Sequence, residues 1–285
     1  MQYFLILLLS ILSTVKISFQ SAFSKKSVKN KADILVFNFL VFLFSGILFS
    51  VGIVNSSPAV YGYAFFGALF TVLFQLTYTE ALSMGNVSLT VLIVNLGMVL
   101  NVIFSYFVYK EPMSWIRFIG VALTLVTFVI CTDFKKGKPT EKKWYIYTIC
   151  AMFATTLASM VQQIFSKSQY SEQNGVYVAA VYIIGAIFLL LAYMLLKKKG
   201  VDKTFKIDKR VILLTMATGI CLGLYKFVST YSLTVVEGTF FYPARAGIGT
   251  IFSAISGVLI FKDKLNAKQK LSVIIGIIAI IFIKF

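Results

Sequence analysis

The stretch STVKISFQSAFSKKS, residues 13–27, returns as TTLASMVQQIFSKSQ at residues 155–169, with F-S-K closing a hydrophobic run both times. A second echo ends each half. FVYKEPMSWIRFIGV at 107–121 is matched by LIFKDKLNAKQKLSV at 259–273, a lysine and an acid followed by a fresh apolar run. Duplicated sets of apolar segments build many membrane carriers, and the working site lies where the two copies meet.

Composition agrees. The 285 residues are 59% hydrophobic, 16% aromatic and only 13% charged, too apolar for a water-soluble domain. A bilayer core takes roughly 20 apolar residues per helix. Ten spans can be laid end to end: Tyr3–Phe23, Ala32–Val54, Ala59–Ser83, Val87–Tyr109, Ser114–Asp133, Trp144–Phe165, Gly175–Leu196, Val211–Val236, Thr239–Phe261 and Leu265–Ile283. The expected architecture is an all-α integral membrane protein of two five-helix repeats: residues 1–134, a cytoplasmic joint at 135–143, and residues 144–285. The first run lacks a basic start and a small-residue cleavage site and holds Lys16, so it reads as a retained helix rather than a leader.

The net charge of +17 could suggest nucleic acid, but the charge sits in short joints, as the positive-inside rule expects, and no nucleic-acid partner follows. Joints after spans one, five, seven and nine hold about twenty Lys and Arg; the alternate joints hold only Lys110, Arg117 and Lys167. The basic joints are therefore expected in the cytoplasm and both termini outside. Five spans per half is an odd number, so the second half enters the membrane in the opposite sense. The repeats should be inverted, which is the arrangement that permits alternating access.

With this pattern go TEALSMGNVS (79–88), YSLTVVEGT (231–239), KEPMS from Lys110 and KDKLN from Lys262. The whole resembles the drug/metabolite transporter superfamily, specifically its EamA-like branch. The resemblance implies a carrier of amino acids, metabolites, nucleotide sugars, sugar phosphates or drugs. Family halves commonly carry Gly nine residues after the closing acid; Gly120 fits, whereas Ser272 stands in the second half.

Ionisable groups inside a bilayer are costly and mark function. Lys16 lies about nine residues before Lys25, roughly 13 Å deep at about 1.5 Å per residue. Lys226, in GLYKFVSTYSL, is far from both ends of span eight, and aligning the halves on Leu82 and Leu233 sets it opposite Gln75. Tyr225 and Ser229 share or border its face. Arg245 follows Pro243, a helix-kinking residue, in span nine. Together these are the candidate substrate-binding groups: a guanidinium for bidentate contact and ammonium groups as point charges, suited to carboxylate or phosphate. Competing structural readings are an ion pair closing two helices for Lys226 and snorkelling for Arg245. Glu80 and Glu237, at opposite ends of their spans, read as interface residues. Alternatively they gate or couple, Glu80 pairing with Lys16 and Glu237 with Lys226 or Arg245.

The sequence thus leads to a secondary transporter of a small amino acid, anionic or zwitterionic metabolite in the cell membrane. The alternatives are an exporter of drug-like or cationic compounds and a flippase of a lipid-linked metabolite. A membrane enzyme would need paired carboxylates, histidines or a phosphate loop, and none is present. No cofactor or metal is expected; cysteines 131, 150 and 221 lack ligand spacing. Expected partners are a small-molecule substrate and the lipid bilayer, with a monomer sufficient for function and a homodimer not excluded.

Overall fold

A computed structural model describes residues 2–27, 31–50, 56–85, 87–131, 142–198, 209–261 and 267–284. Among these the backbone forms ten α-helices and no strand. Within a bilayer every backbone N–H and C=O must find a partner inside its own segment, and a helix meets that demand. The helices are α1 (Gln2–Ser27), α2 (Lys31–Leu48), α3 (Pro58–Met84), α4 (Val87–Tyr109), α5 (Trp115–Cys131), α6 (Lys142–Ser166), α7 (Asn174–Lys198), α8 (Lys209–Val235), α9 (Gly238–Phe261) and α10 (Ala267–Lys284). Six described segments are long and apolar enough to cross a membrane, lying in α1, α3, α4, α6, α7 with its preceding turn, and α8. Shorter apolar stretches lie in α2, α5 and α10. Large apolar side chains such as Phe4, Phe66, Phe107, Trp115, Ile146 and Leu195 face outward, as lipid contact allows.

Span two was expected to reach Val54, but α2 ends at Leu48, where Phe49 N–H turns back to the Gly46 carbonyl at 3.2 Å. Hydropathy records that a run is apolar, not that it stays helical. The joint at 135–141 and the closing motif KDKLN lie outside the described residues.

Packing follows one rule. Helix α1 lies against α8 and α9, while α6 lies against α3 and α4; α2 meets α7, α5 meets α10 and α4 meets α9. Likewise α2 packs on α8 and α7 on α3. Exchanging each helix with the one five places along returns these same pairings, although among the described residues α5 also packs on α9 without a counterpart of like extent between α10 and α4. Two larger apolar cores result, one gathering Phe37, Phe42, Ala64, Tyr182 and Leu222, the other Ile6, Met98, Val121, Phe241 and Ile283, with a smaller cluster of Tyr78, Leu82, Val94 and Ala151. Helix α1 contributes to both larger cores, through Phe23 to the first and Ile6 and Leu9 to the second.

Small residues permit the closest approaches. A Cβ on Gly219 would sit 2.7 Å from the Val41 carbonyl, and Ser45 Oγ donates to the Gly219 carbonyl at 2.7 Å. Gly219 therefore lets α8 lie on α2 backbone to backbone. By contrast, a Cβ on Gly62 would meet nothing within 4 Å.

Candidate functional site

The three cations set within apolar runs come from helices that touch one another: Lys16 from α1, Lys226 from α8 and Arg245 from α9. Lys16 and Lys226 are only 7% and 6% exposed. Arg245 is close enough to act electrostatically on both lysines. Among the described residues none of the three forms an ion pair with a carboxylate; the one described salt bridge joins Arg117 to Glu237. Polar and aromatic groups hold them instead. Lys226 Nζ donates to Gln162 Oε1 at 3.0 Å and lies 5.8 Å from the Tyr177 ring. Arg245 donates to Tyr225 Oη at 2.6 Å, and its guanidinium lies 5.4–5.8 Å from the rings of Phe241, Tyr242 and Tyr225. Lys16 Nζ lies 5.4 Å from the Phe74 ring. Ring faces stabilise a cation by about 0.5–2 kcal/mol each. They hold the charge in place but leave it positive.

Sequence position explains this placement. Arg245 is one turn past Phe241 and just beyond the buried Pro243, so the α9 aromatics and the arginine share a face. Tyr225 precedes Lys226 on α8 and reaches Arg245, while Ser229, a turn later, is buried at 1% exposure.

Among the described residues neither of the alternative gate pairs is present. Glu237 has a 45% exposed side chain and binds Arg117 at 2.7 Å, not Lys226 or Arg245. Both groups sit at the α5 and α9 starts, so the shorter path is to each other. Glu80 is half-buried near the α3 end, and no described ion pair joins it to Lys16, which turns toward Phe74.

Known proteins place this architecture. The family model described as EamA-like transporter family matches residues 4–132. Over these residues, somewhat less than half of the chain, the sequence is similar to that family. Together with the six long apolar segments, the match supports a multi-pass membrane protein; carrying small solutes is what the matched family does. No curated protein matches the sequence. Solved structures do: one described as "Crystal structure of protein" aligns over 97% of this chain and 98% of its own, with TM-score 0.73 at 14% identity. That likeness speaks to fold alone.

The EamA-matched half carries a polar layer that sequence reasoning caught only at Gln75. Gln20 Nε2 donates to Thr79 Oγ1 at 2.9 Å, Asn38 Nδ2 approaches the same hydroxyl at 3.4 Å, and Thr79 Oγ1 donates to the Gln75 carbonyl at 2.7 Å. The other half repeats the motif. Gln162 Nε2 donates to Thr230 Oγ1 at 3.0 Å, and Thr230 Oγ1 donates to the Lys226 carbonyl at 2.8 Å. Gln75 and Lys226 thus occupy matching places, as do Gln20 and Gln162. The signal was available: both glutamines sit three residues before the Phe of the F-S-K echo, as amides inside apolar runs. Tyr177, Phe241 and Tyr242 left no such trace, because a ring that contacts a cation and a ring that contacts lipid are spelled alike.

A further set locks the α9 start. Lys110, with φ 52°, turns the chain out of α4 in the left-handed region, and Glu111 Oε2 then accepts from the Thr239 N–H at 2.8 Å. Arg117 adds bonds to the Pro112 carbonyl at 2.7 Å and Thr239 Oγ1 at 3.1 Å. The Lys-Glu-Pro motif of the first half therefore fixes the helix that carries Arg245.

Proposed function

We propose that the chain is a secondary transporter of a small organic anion or zwitterion across the cell membrane. In this reading residues 1–134 and 144–285 are inverted repeats, ten helices span the bilayer, and alternating access exposes a central site to each side. The observation that carries it is the gathering of Lys16, Lys226 and Arg245 around the α1, α8 and α9 contacts with no carboxylate paired to any of them among the described residues. A buried cation without a counter-charge is expensive. A cargo bearing a carboxylate or phosphate supplies the missing charge, and the guanidinium can take it by two parallel hydrogen bonds. The exchange of packing partners between halves supports the inverted repeat, because related surfaces can open on opposite sides. Loop charge supports an orientation with the lysine-rich joints in the cytoplasm and both termini outside.

Energetically the site depends on differential occupancy. Aromatic faces and amide oxygens hold the cations while the site is empty, and the cargo replaces part of that stabilisation when it binds. Uptake of labelled carboxylates, phosphates, amino acids and cations into proteoliposomes tests the reading. Lys226→Gln and Arg245→Gln should each lower anion or zwitterion uptake at least about tenfold, the order lost with one charged partner. Unchanged uptake in both variants would sink the cationic site.

A further inference from the structure

We infer that the polar layer of Gln20, Asn38 and Gln75 is a seat for a primary ammonium group, so that the cargo is a zwitterion carrying an ammonium beside its carboxylate. This rests on the anionic site proposed above and adds a second subsite to it. The hydroxyl of Thr79 commits its proton to the Gln75 carbonyl, so Gln20 and Asn38 must offer it N–H groups. Asn38 Nδ2 also donates to the Ile34 carbonyl at 2.9 Å, which fixes the same orientation. Their carboxamide oxygens therefore point away, and both are buried without a partner. Gln75, fully buried, has its own Oε1 and Nε2 unpartnered, and Thr71 Oγ1, one turn earlier on the same face, is unpartnered too. Acceptors outnumber donors, and buried groups of this kind are costly to leave unmet.

The second half shows what such a layer receives. There the oxygen matching that of Gln20, Gln162 Oε1, accepts the Lys226 ammonium. Gln75 stands in the lysine's place in the first half, so no tethered ammonium reaches Gln20 from that position. A free metal cation would meet repulsion from Lys16, one turn from Gln20 on α1 and about 6 Å away between Cβ atoms. An ammonium that brings its own carboxylate answers both features: the oxygens take its N–H groups and the lysine takes its carboxylate.

The test compares labelled leucine and glutamate with their deaminated counterparts, isocaproate and glutarate, for uptake into proteoliposomes and for thermal stabilisation of purified protein. Expected is a preference for at least one amino acid over its partner acid. Gln20→Leu and Gln75→Leu should each shrink that preference at least about tenfold, while Gln75→Glu, which keeps the acceptors, retains it. Equal handling of amine-bearing and amine-free acids, with dependence on Lys226 and Arg245 intact, would mean that water fills the layer; the ammonium seat then fails and the anionic site stands. Stabilisation by none of the amino acids, or a preference that vanishes without sodium, also overturns it. Indifference to Lys226→Gln and Arg245→Gln defeats the anionic reading itself.

Discussion

Lys226 Nζ, buried in the protein interior, donates to one glutamine oxygen, so the two residues should behave as a unit. Gln162→Leu strands the ammonium and also removes the donor to Thr230, and should cost about 1–2 kcal/mol. Adding Lys226→Met to it should recover part of that loss, because the stranded charge disappears with the lysine. Melting of the single and double variants in detergent checks this; strict additivity would show that the pair is not coupled. What could be read at this scale was charge. Lys16, Lys226 and Arg245 stood out because an ionised group inside an apolar run has no cheap explanation. Gln162 and Asn38 passed unmarked, since an amide satisfied by a helix neighbour and an amide aimed at a ligand leave the same letter. Glu237 read first as an interface residue, with the outer cations as alternative partners; Arg117, 120 positions earlier, is what folding brings to 2.7 Å, a pairing no local pattern announces.

Helix α9 is held at its start by two carboxylates of unequal worth. Glu111 is buried and caps the Thr239 N–H, whereas Glu237 pairs at an exposed position. Glu111→Ala should therefore cost about 1 kcal/mol or more, and Glu237→Ala between about 0 and 1 kcal/mol, again by thermal melting. Between helices the glycines make a similar contrast. Gly219→Leu forces a side chain into the α2 backbone and should destabilise by about 1–3 kcal/mol, whereas Gly62→Ala should be nearly neutral because nothing lies within 4 Å. Helix existence was legible from hydropathy, since lipid tolerates no other short solution. Helix ends were less so: α2 stops at Leu48 although the sequence stays apolar, because the terminating turn is set by local hydrogen bonds.

Across the molecule, the duplication could be read from two short echoes, but not which helix meets which. A repeat dictates that contacts come in matched pairs; only folding decides that α1 takes α8 and α6 takes α3. Orientation is testable at this scale. In a cysteine-free background, Glu172→Cys should react with a membrane-impermeant thiol reagent applied outside intact cells, and Lys143→Cys only after permeabilisation; both side chains are exposed. The reverse pattern would invert the topology. The unanswered positive charges on α1, α8 and α9 have an electrical consequence. Carrying one elementary charge through the membrane field is worth about 2.3 kcal/mol per 100 mV. Any rocking that changes the depth of these groups makes the empty carrier a moving charge, and a zwitterion, having no net charge, does not cancel it. Voltage would then bias which side the vacant carrier faces, and transient currents should be recorded even where the cargo itself carries none.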